Sequence, residues 1–318
     1  MTAAQCNVLP RRLTPGDSIA VIAPSSGVRD DRLARGIEAI RERGYRVIEG
    51  DHLYDRVGFV AGSDAARARD LNRLFERDDV HAIFCARGGY GACRMVGMVD
   101  WCTVVSHPKV FVGFSDVTTL HLAFARHGRY PTIHGPMVVN LGGELSATAR
   151  DSFWRTVEHP SPPGVLPVCR DQLCTVASGV VRGPLAGGCI SLLAAAVGTP
   201  EEPDFRGRIV LLEDVGEDPY RIDRMLLQMH RAGLLACAAG FVIGTVSPAP
   251  GSDPTADDVS APHGIGDVWR ERIGSLGRPA IAGLPFGHVR DPLTLPLGCW
   301  AELDAGARTL TVLEPAVA

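Results

Sequence analysis

Ser115 ends the apolar run KVFVGF and is followed by Asp116 and a stretch, 116–127, with the apolar spacing of a helix. A serine at the apex of a strand-to-helix turn holds its oxygen clear of the backbone. The N–H of the next residue then lies at a helix start, where it can face an oxyanion. Serine is also a preferred helix N-cap, and the stretch lacks the second glycine of G-x-S-x-G, so residue types leave both uses open. A nucleophilic serine needs a base, and the base needs an orienting carboxylate. His288 in IAGLPFGHVRD and His134 in TIHGP each end an apolar strand pattern, and spacing does not choose between them. Glu213 closes GRIVLLED, where an acid serves either a site or the start of the next helix. The glycines of ARGGYGACR could turn an N–H of Gly88 or Gly89 toward an oxyanion, or simply make a tight turn.

These residues fall at regular places in a repeating pattern. DSIAVIAPSSG reads as a strand and turn, and DDRLARGIEAIRERG as a helix with Leu33, Ile37 and Ile40 on one face and Gly44 at its end. YRVIEG, VHAIFCAR and KVFVGF are further strands, with ARARDLNRLFERDD a helix among them. Strands alternating with helices of this length predict a parallel sheet covered on both faces, with ligands beyond the carboxyl ends of its strands. Ser25, Ser26, the RGGYG loop and Ser115 all sit at such ends. From 159 to 184 the helical period lapses into Pro- and Gly-rich sequence. The expected organisation is therefore an N-terminal α/β domain over 1–165, a linker over 166–183 and a C-terminal domain over 184–318. The last contains a helix at CISLLAAAVGTP, a strand at GRIVLLED, a helix at DPYRIDRMLLQMHRAG, a strand at AAGFVIGTV, a polar loop from 247 to 263, and short strands to the end.

Composition narrows the chemistry. With 46% hydrophobic and 21% charged residues, the 318-residue chain is expected to be globular and large enough for two domains. A net charge of −4 with dispersed basic residues argues against nucleic acid as a partner. Lys109 is the single lysine, which leaves almost no candidate for lysine-based catalysis. There is neither G-x-x-x-x-G-K nor G-x-G-x-x-G, so no nucleotide cofactor is expected. Nine cysteines without C-x-x-C spacing, and no clustered His/Asp spacing, lead us to expect neither a disulfide framework nor a metal. The N-terminal residues lack the apolar core of a secretion signal and no later run is long enough to span a bilayer, so a cytoplasmic protein without membrane partners is expected.

PGDSIAVIAPSSG, ARGGYGACR, GFSDVTTL, HGPM, LLEDVGEDPYRIDRMLLQM and GLPFGH, in that order, resemble the LD-carboxypeptidase family of serine peptidases, which includes the microcin C immunity peptidases. The resemblance covers nearly the whole chain. It implies a flavodoxin-like N-terminal layer, a smaller β-rich C-terminal α+β domain, a site in the cleft between them, and a homodimer. It also implies a Ser-Glu-His triad at Ser115, Glu213 and His288, which leaves His134 a supporting role. The oxyanion would then be held by the N–H of Asp116 with that of Gly88 or Gly89, and the implied reaction is release of C-terminal D-alanine from a murein tetrapeptide. A carboxypeptidase must also hold a free carboxylate, for which Arg87 and Arg221 are the candidate cations. Three other readings compete: a peptidase acting on a microcin-like aminoacyl nucleotide, a non-catalytic module that binds cell-wall peptides, and a metal-dependent hydrolase.

Overall fold

A computed structural model describes residues 8–28, 31–128, 130–247 and 264–318. The polar loop expected at 247–263 lies, from 248 onward, outside the described residues. The chain divides into two compact units that do not follow a single cut in the sequence. One comprises 8–163, 290–299 and 314–318, and the other 164–289 and 300–313.

The first unit is built on β1 (Ser18–Ile22), β2 (Arg46–Glu49), β3 (Ala82–Cys85), β4 (Val110–Gly113) and β5 (Thr132–His134). β1, β3 and β4 are buried along their whole length. Their sequences are therefore unbroken apolar runs, as in a parallel sheet covered on both faces. The helix Asp64–Glu76 starts where Ser63 caps it, the hydroxyl accepting from Ala66 N–H at 3.1 Å. Its Leu71, Leu74 and Phe75 pack with Phe111, Leu120 and Phe124 in the core.

The second unit holds β6 (Gly164–Val165), β7 (Cys174–Ala177), β8 (Val180–Cys189), β9 (Ile209–Val215), β10 (Gly240–Ser247) and β11 (Ala280–Ala282). Next in the chain, β12 (Leu295–Leu297) belongs to the first unit, before β13 (Trp300–Asp304) and β14 (Thr309–Val312) return to the second. Among the described residues the first sheet runs β12-β5-β4-β3-β1-β2. Apart from the antiparallel β12, that is the flavodoxin-like order, with its switch point between β1 and β3. The second sheet runs β6-β14-β13-β8-β9-β10-β11-β7, parallel through β8-β9-β10-β11 and antiparallel elsewhere. The α/β architecture with a β-rich second part is thus the one the sequence suggests.

Two stretches differ from the sequence pattern. Residues 166–183, whose Pro and Gly content suggests a linker, contain β7 and the first part of the ten-residue β8. Gly187 of β8 is there because β9 lies too close for a side chain: a Cβ on it, at φ +121°, would stand 2.8 Å from Leu211 N. The second stretch is 290–299, which leaves the C-terminal block and pairs Leu295 with His134 on β5. No helix among the described residues is long and apolar enough to cross a membrane.

Candidate active site

In the first unit, the chain leaves β4 through Phe114 and turns sharply at Ser115. Ser115 has φ +65°, and among the described residues only Arg308 shares a positive φ without being glycine. A left-handed serine carries backbone strain that persists only where its surroundings hold it. One 3₁₀ turn, Ser115–Val117, follows and leads into the helix Thr118–His127. The N-cap positions of these two segments are Phe114 and Val117, and neither has a side-chain cap bond. Ser115 therefore lies inside the 3₁₀ turn and in the left-handed region, not in the extended conformation usual for an N-cap residue.

The 87–91 loop lies against this turn. A Cβ on Gly88 would stand 2.7 Å from Ser115 Cβ and 3.5 Å from Asp116 N, so only glycine allows this approach. Gly89, at φ +114°, is likewise held close to Ser26, 2.6 Å from its Cβ by the same construction. Ser26 N–H donates to Gly88 O at 3.3 Å, and Tyr90 N–H donates to Ser26 Oγ at 3.1 Å. The loops after β1, β3 and β4 therefore converge, and Asp116 N–H and the Gly88–Gly89 segment share one neighbourhood. Arg87, half-buried, begins the same loop.

On β5, opposite Gly113 of β4, His134 is 1% exposed, with ring centroids 5.8 Å from Phe114 and 6.4 Å from His121. His121 bonds Thr132 Oγ1 and Gly113 O at 2.9 Å each, and burial brings its imidazole down to a pKa of about 4. Both histidines thus adjoin Gly113 at the end of β4.

The second unit brings Glu213 and His288 together across 75 residues of sequence. Glu213, fully buried two residues before the end of β9, accepts from His288 Nδ1 at 2.7 Å and from His288 N–H at 3.2 Å through the same Oε2. With Nδ1 the donor to the carboxylate, Nε2 is the acceptor nitrogen of the ring. The approach depends on Gly287: at φ +78°, a Cβ there would lie 2.6 Å from Glu213 Cγ and nearer still to Oε2. Asp214, next along β9, has a different job. It accepts from Ser191 N–H at 2.7 Å and Val215 N–H at 2.8 Å, tying β9 to the helix Ile190–Ala195. Arg221, on the helix Pro219–Arg231, lies 3.6 Å from Glu217 and donates to Tyr220 Oη at 3.0 Å.

Ser115, Asp116, Gly88, Gly89 and Arg87 thus belong to one unit, and Glu213, His288 and Arg221 to the other. Sequence reasoning missed Arg67. In the helix Asp64–Glu76 it reads as one more surface arginine, yet it is buried and donates to Pro24 O and, at 2.8 Å, to Gly91 O. Its one signal is its place on the apolar stripe, one residue from Ala66 and Ala68.

A flavodoxin-like sheet carrying a strained serine, and a second mixed sheet carrying a carboxylate–imidazole pair, define a two-domain α/β protein. Residues 19–135 match the LD-carboxypeptidase N-terminal domain and residues 182–303 the LD-carboxypeptidase C-terminal domain. A murein tetrapeptide carboxypeptidase of Pseudomonas aeruginosa is 30% identical over 294 residues, 90% of this chain and 92% of its own. The crystal structure of muramoyltetrapeptide carboxypeptidase from Oxalobacter formigenes is 32% identical, covers 93% of this chain and 97% of its own, and has a TM-score of 0.79. Microcin C7 self immunity protein MccF, wild type in its apo state, shares the fold: TM-score 0.87 at 19% identity, covering 98% of this chain and 100% of its own. The chain belongs to the LD-carboxypeptidase family.

Proposed function

We propose that this protein is a serine carboxypeptidase that hydrolyses the L-to-D bond before a C-terminal D-alanine in murein tetrapeptides. The observation that carries the reading is the Glu213–His288 pair: a fully buried carboxylate that fixes the tautomer of an imidazole through Nδ1. A buried acid of this kind both orients the ring and offsets the charge it gains as a base. The strained turn at Ser115 supports the serine as nucleophile, because backbone strain of this kind clusters at active sites.

In this reading His288 Nε2 takes the Ser115 proton as the hydroxyl oxygen attacks the carbonyl carbon. Electron density moves to the carbonyl oxygen, which Asp116 N–H and an N–H of Gly88 or Gly89 receive; each such donor is worth about 3 kcal/mol. Collapse expels D-alanine, its amine protonated by His288, and water then releases the acyl group by the reverse sequence. Arg87 is the better candidate for the substrate carboxylate, since the charge of Arg221 is offset by Glu217. The murein peptide follows from the names of the two relatives at 30% and 32% identity. We also take the protein to be a cytoplasmic homodimer.

The test is mass spectrometry of muramoyl-tetrapeptide incubated with the protein, alongside Ser115→Ala. Wild type should release D-alanine, and the variant should fold normally while losing at least about 10³-fold in kcat. Turnover retained in Ser115→Ala would place the nucleophile elsewhere.

A further inference from the structure

Asp116 contributes more to its surroundings than a backbone N–H. Its carboxylate is 1% exposed, and Oδ2 accepts from Ala92 N–H at 2.8 Å. Ala92 lies three residues past Gly89, so this bond fastens the far end of the loop whose near end presses on Ser115. Burial pushes the carboxyl pKa upward, opposed by the Ser25 hydroxyl, the N–H groups of Ala92 and Gly91, and the charge of Arg67. Arg67 closes the arrangement from behind: its guanidinium joins Pro24 O in the β1 loop to Gly91 O in the β3 loop and pairs with Asp64. Gly91, at φ +129°, lies so close that a Cβ would stand 3.1 Å from Arg67 Nη1. A buried carboxylate one residue from the nucleophile would oppose a nearby oxyanion if it had only that proximity. Here the cation and the donors offset its charge, the carboxylate ties the β4 turn to the β3 loop, and Arg67 ties the β3 loop to the β1 loop.

We propose that the Asp116 side chain, backed by Arg67, is a positioning group for the oxyanion site. It keeps the 88–92 loop in register with the turn at Ser115, so that Asp116 N–H and the Gly88 or Gly89 N–H converge on one oxygen. The inference rests on the serine-hydrolase reading above and extends it from the backbone of Asp116 to its carboxylate. Since the oxyanion exists only along the reaction path, loosening the loop lowers kcat and leaves ground-state binding alone.

The experiment compares full-length wild type, Asp116→Ala, Asp116→Asn and Arg67→Lys. It measures kcat and KM for D-alanine release from muramoyl-tetrapeptide, labelling of Ser115 by a fluorophosphonate, and the thermal midpoint. Asp116→Ala should lower kcat about 10²-fold, the scale of one lost oxyanion donor, with KM within about threefold. Asp116→Asn keeps an acceptor for Ala92 N–H and should recover to within about tenfold of wild type. Arg67→Lys cannot span two carbonyls with one ammonium and should also lower kcat without raising KM. If Asp116→Ala does not fold, Asp116→Asn and Arg67→Lys decide by the same criteria. Full kcat in the folded Asp116 variants, or a loss confined to KM, overturns the inference while the hydrolase reading stands. Wild type that neither releases D-alanine nor labels at Ser115 overturns both.

Discussion

Replacing Gly287 by alanine tests how the carboxylate–imidazole pair is built. The backbone there has φ +78°, and a Cβ would stand 2.6 Å from Glu213 Cγ, with the carboxylate oxygen closer. Gly233 provides a matched control: its φ is +79° and no atom lies within 4 Å of a Cβ placed on it. Both substitutions incur the left-handed penalty of an L-residue, about 1–2 kcal/mol. Only Gly287→Ala also drives the Glu213 carboxylate off His288 N–H and Nδ1, at 3.2 and 2.7 Å. Two hydrogen bonds to a buried charge are lost together, a further cost of about 3 kcal/mol. With Glu213 orienting His288 as proposed above, loss of that hold should cost about 10⁴-fold in activity, the scale seen when the acid of a Ser-His-Asp triad is neutralised. We therefore expect Gly233→Ala to keep wild-type kcat with a modestly lower unfolding midpoint. Gly287→Ala should lose about 10³-fold or more in kcat and unfold at clearly lower denaturant. Urea titration followed by tryptophan fluorescence, with D-alanine release on the same preparations, reads both quantities. Equal stability and equal kcat in the two variants would refute the reasoning.

Other outcomes follow from the first unit. The His121 imidazole, held near a pKa of about 4 by burial against an ordinary 6.5, binds its proton more readily in the unfolded chain. The unfolded state thus carries the extra proton between those values, so stability is full above about pH 6.5 and falls by about 3 kcal/mol as pH drops to about 4. Thermal unfolding of wild type and His121→Gln across that window should show a shallower slope in the variant; parallel slopes would remove His121 as the cause. Arg87→Ala should raise KM for a peptide with a free C-terminal carboxylate about tenfold or more and leave an amidated analogue unaffected, while an equal change for both would assign Arg87 a structural role.

Much of the frame can be read from residue order. The apolar runs of β1, β3 and β4 and the capped, amphipathic helix after Ser63 announce a parallel sheet because burial on both faces demands that composition. Strand ends are likewise visible, which is why Ser115, Glu213, His288 and the RGGYG loop stand out before any coordinates. Strand β8 is less legible: glycine usually marks a turn, yet Gly187 is here required by the closeness of Leu211 on β9, a neighbour 24 residues away. The return of 290–299 to β5 depends on an antiparallel pairing, Leu295 with His134 161 positions earlier, which no local pattern encodes.

For the candidate site the same division holds. Residue types nominate Ser115 as cap or nucleophile, and His134 or His288 as base, because local chemistry is equally content with either member of each pair. Tertiary structure supplies what local chemistry lacks. It holds Ser115 at φ +65° against Gly88, buries His134 on β5 beside two rings, and places the Glu213 carboxylate 2.7 Å from His288 across 75 residues. It also turns Arg67 inward, to carbonyls of two loops that are 43 and 24 residues away in sequence. Short-range preference is carried by each residue and its neighbours, so the sequence alone determined the elements and their ends. Which groups meet depends on burial and on the pairing of distant strands, and that only the folded chain decided.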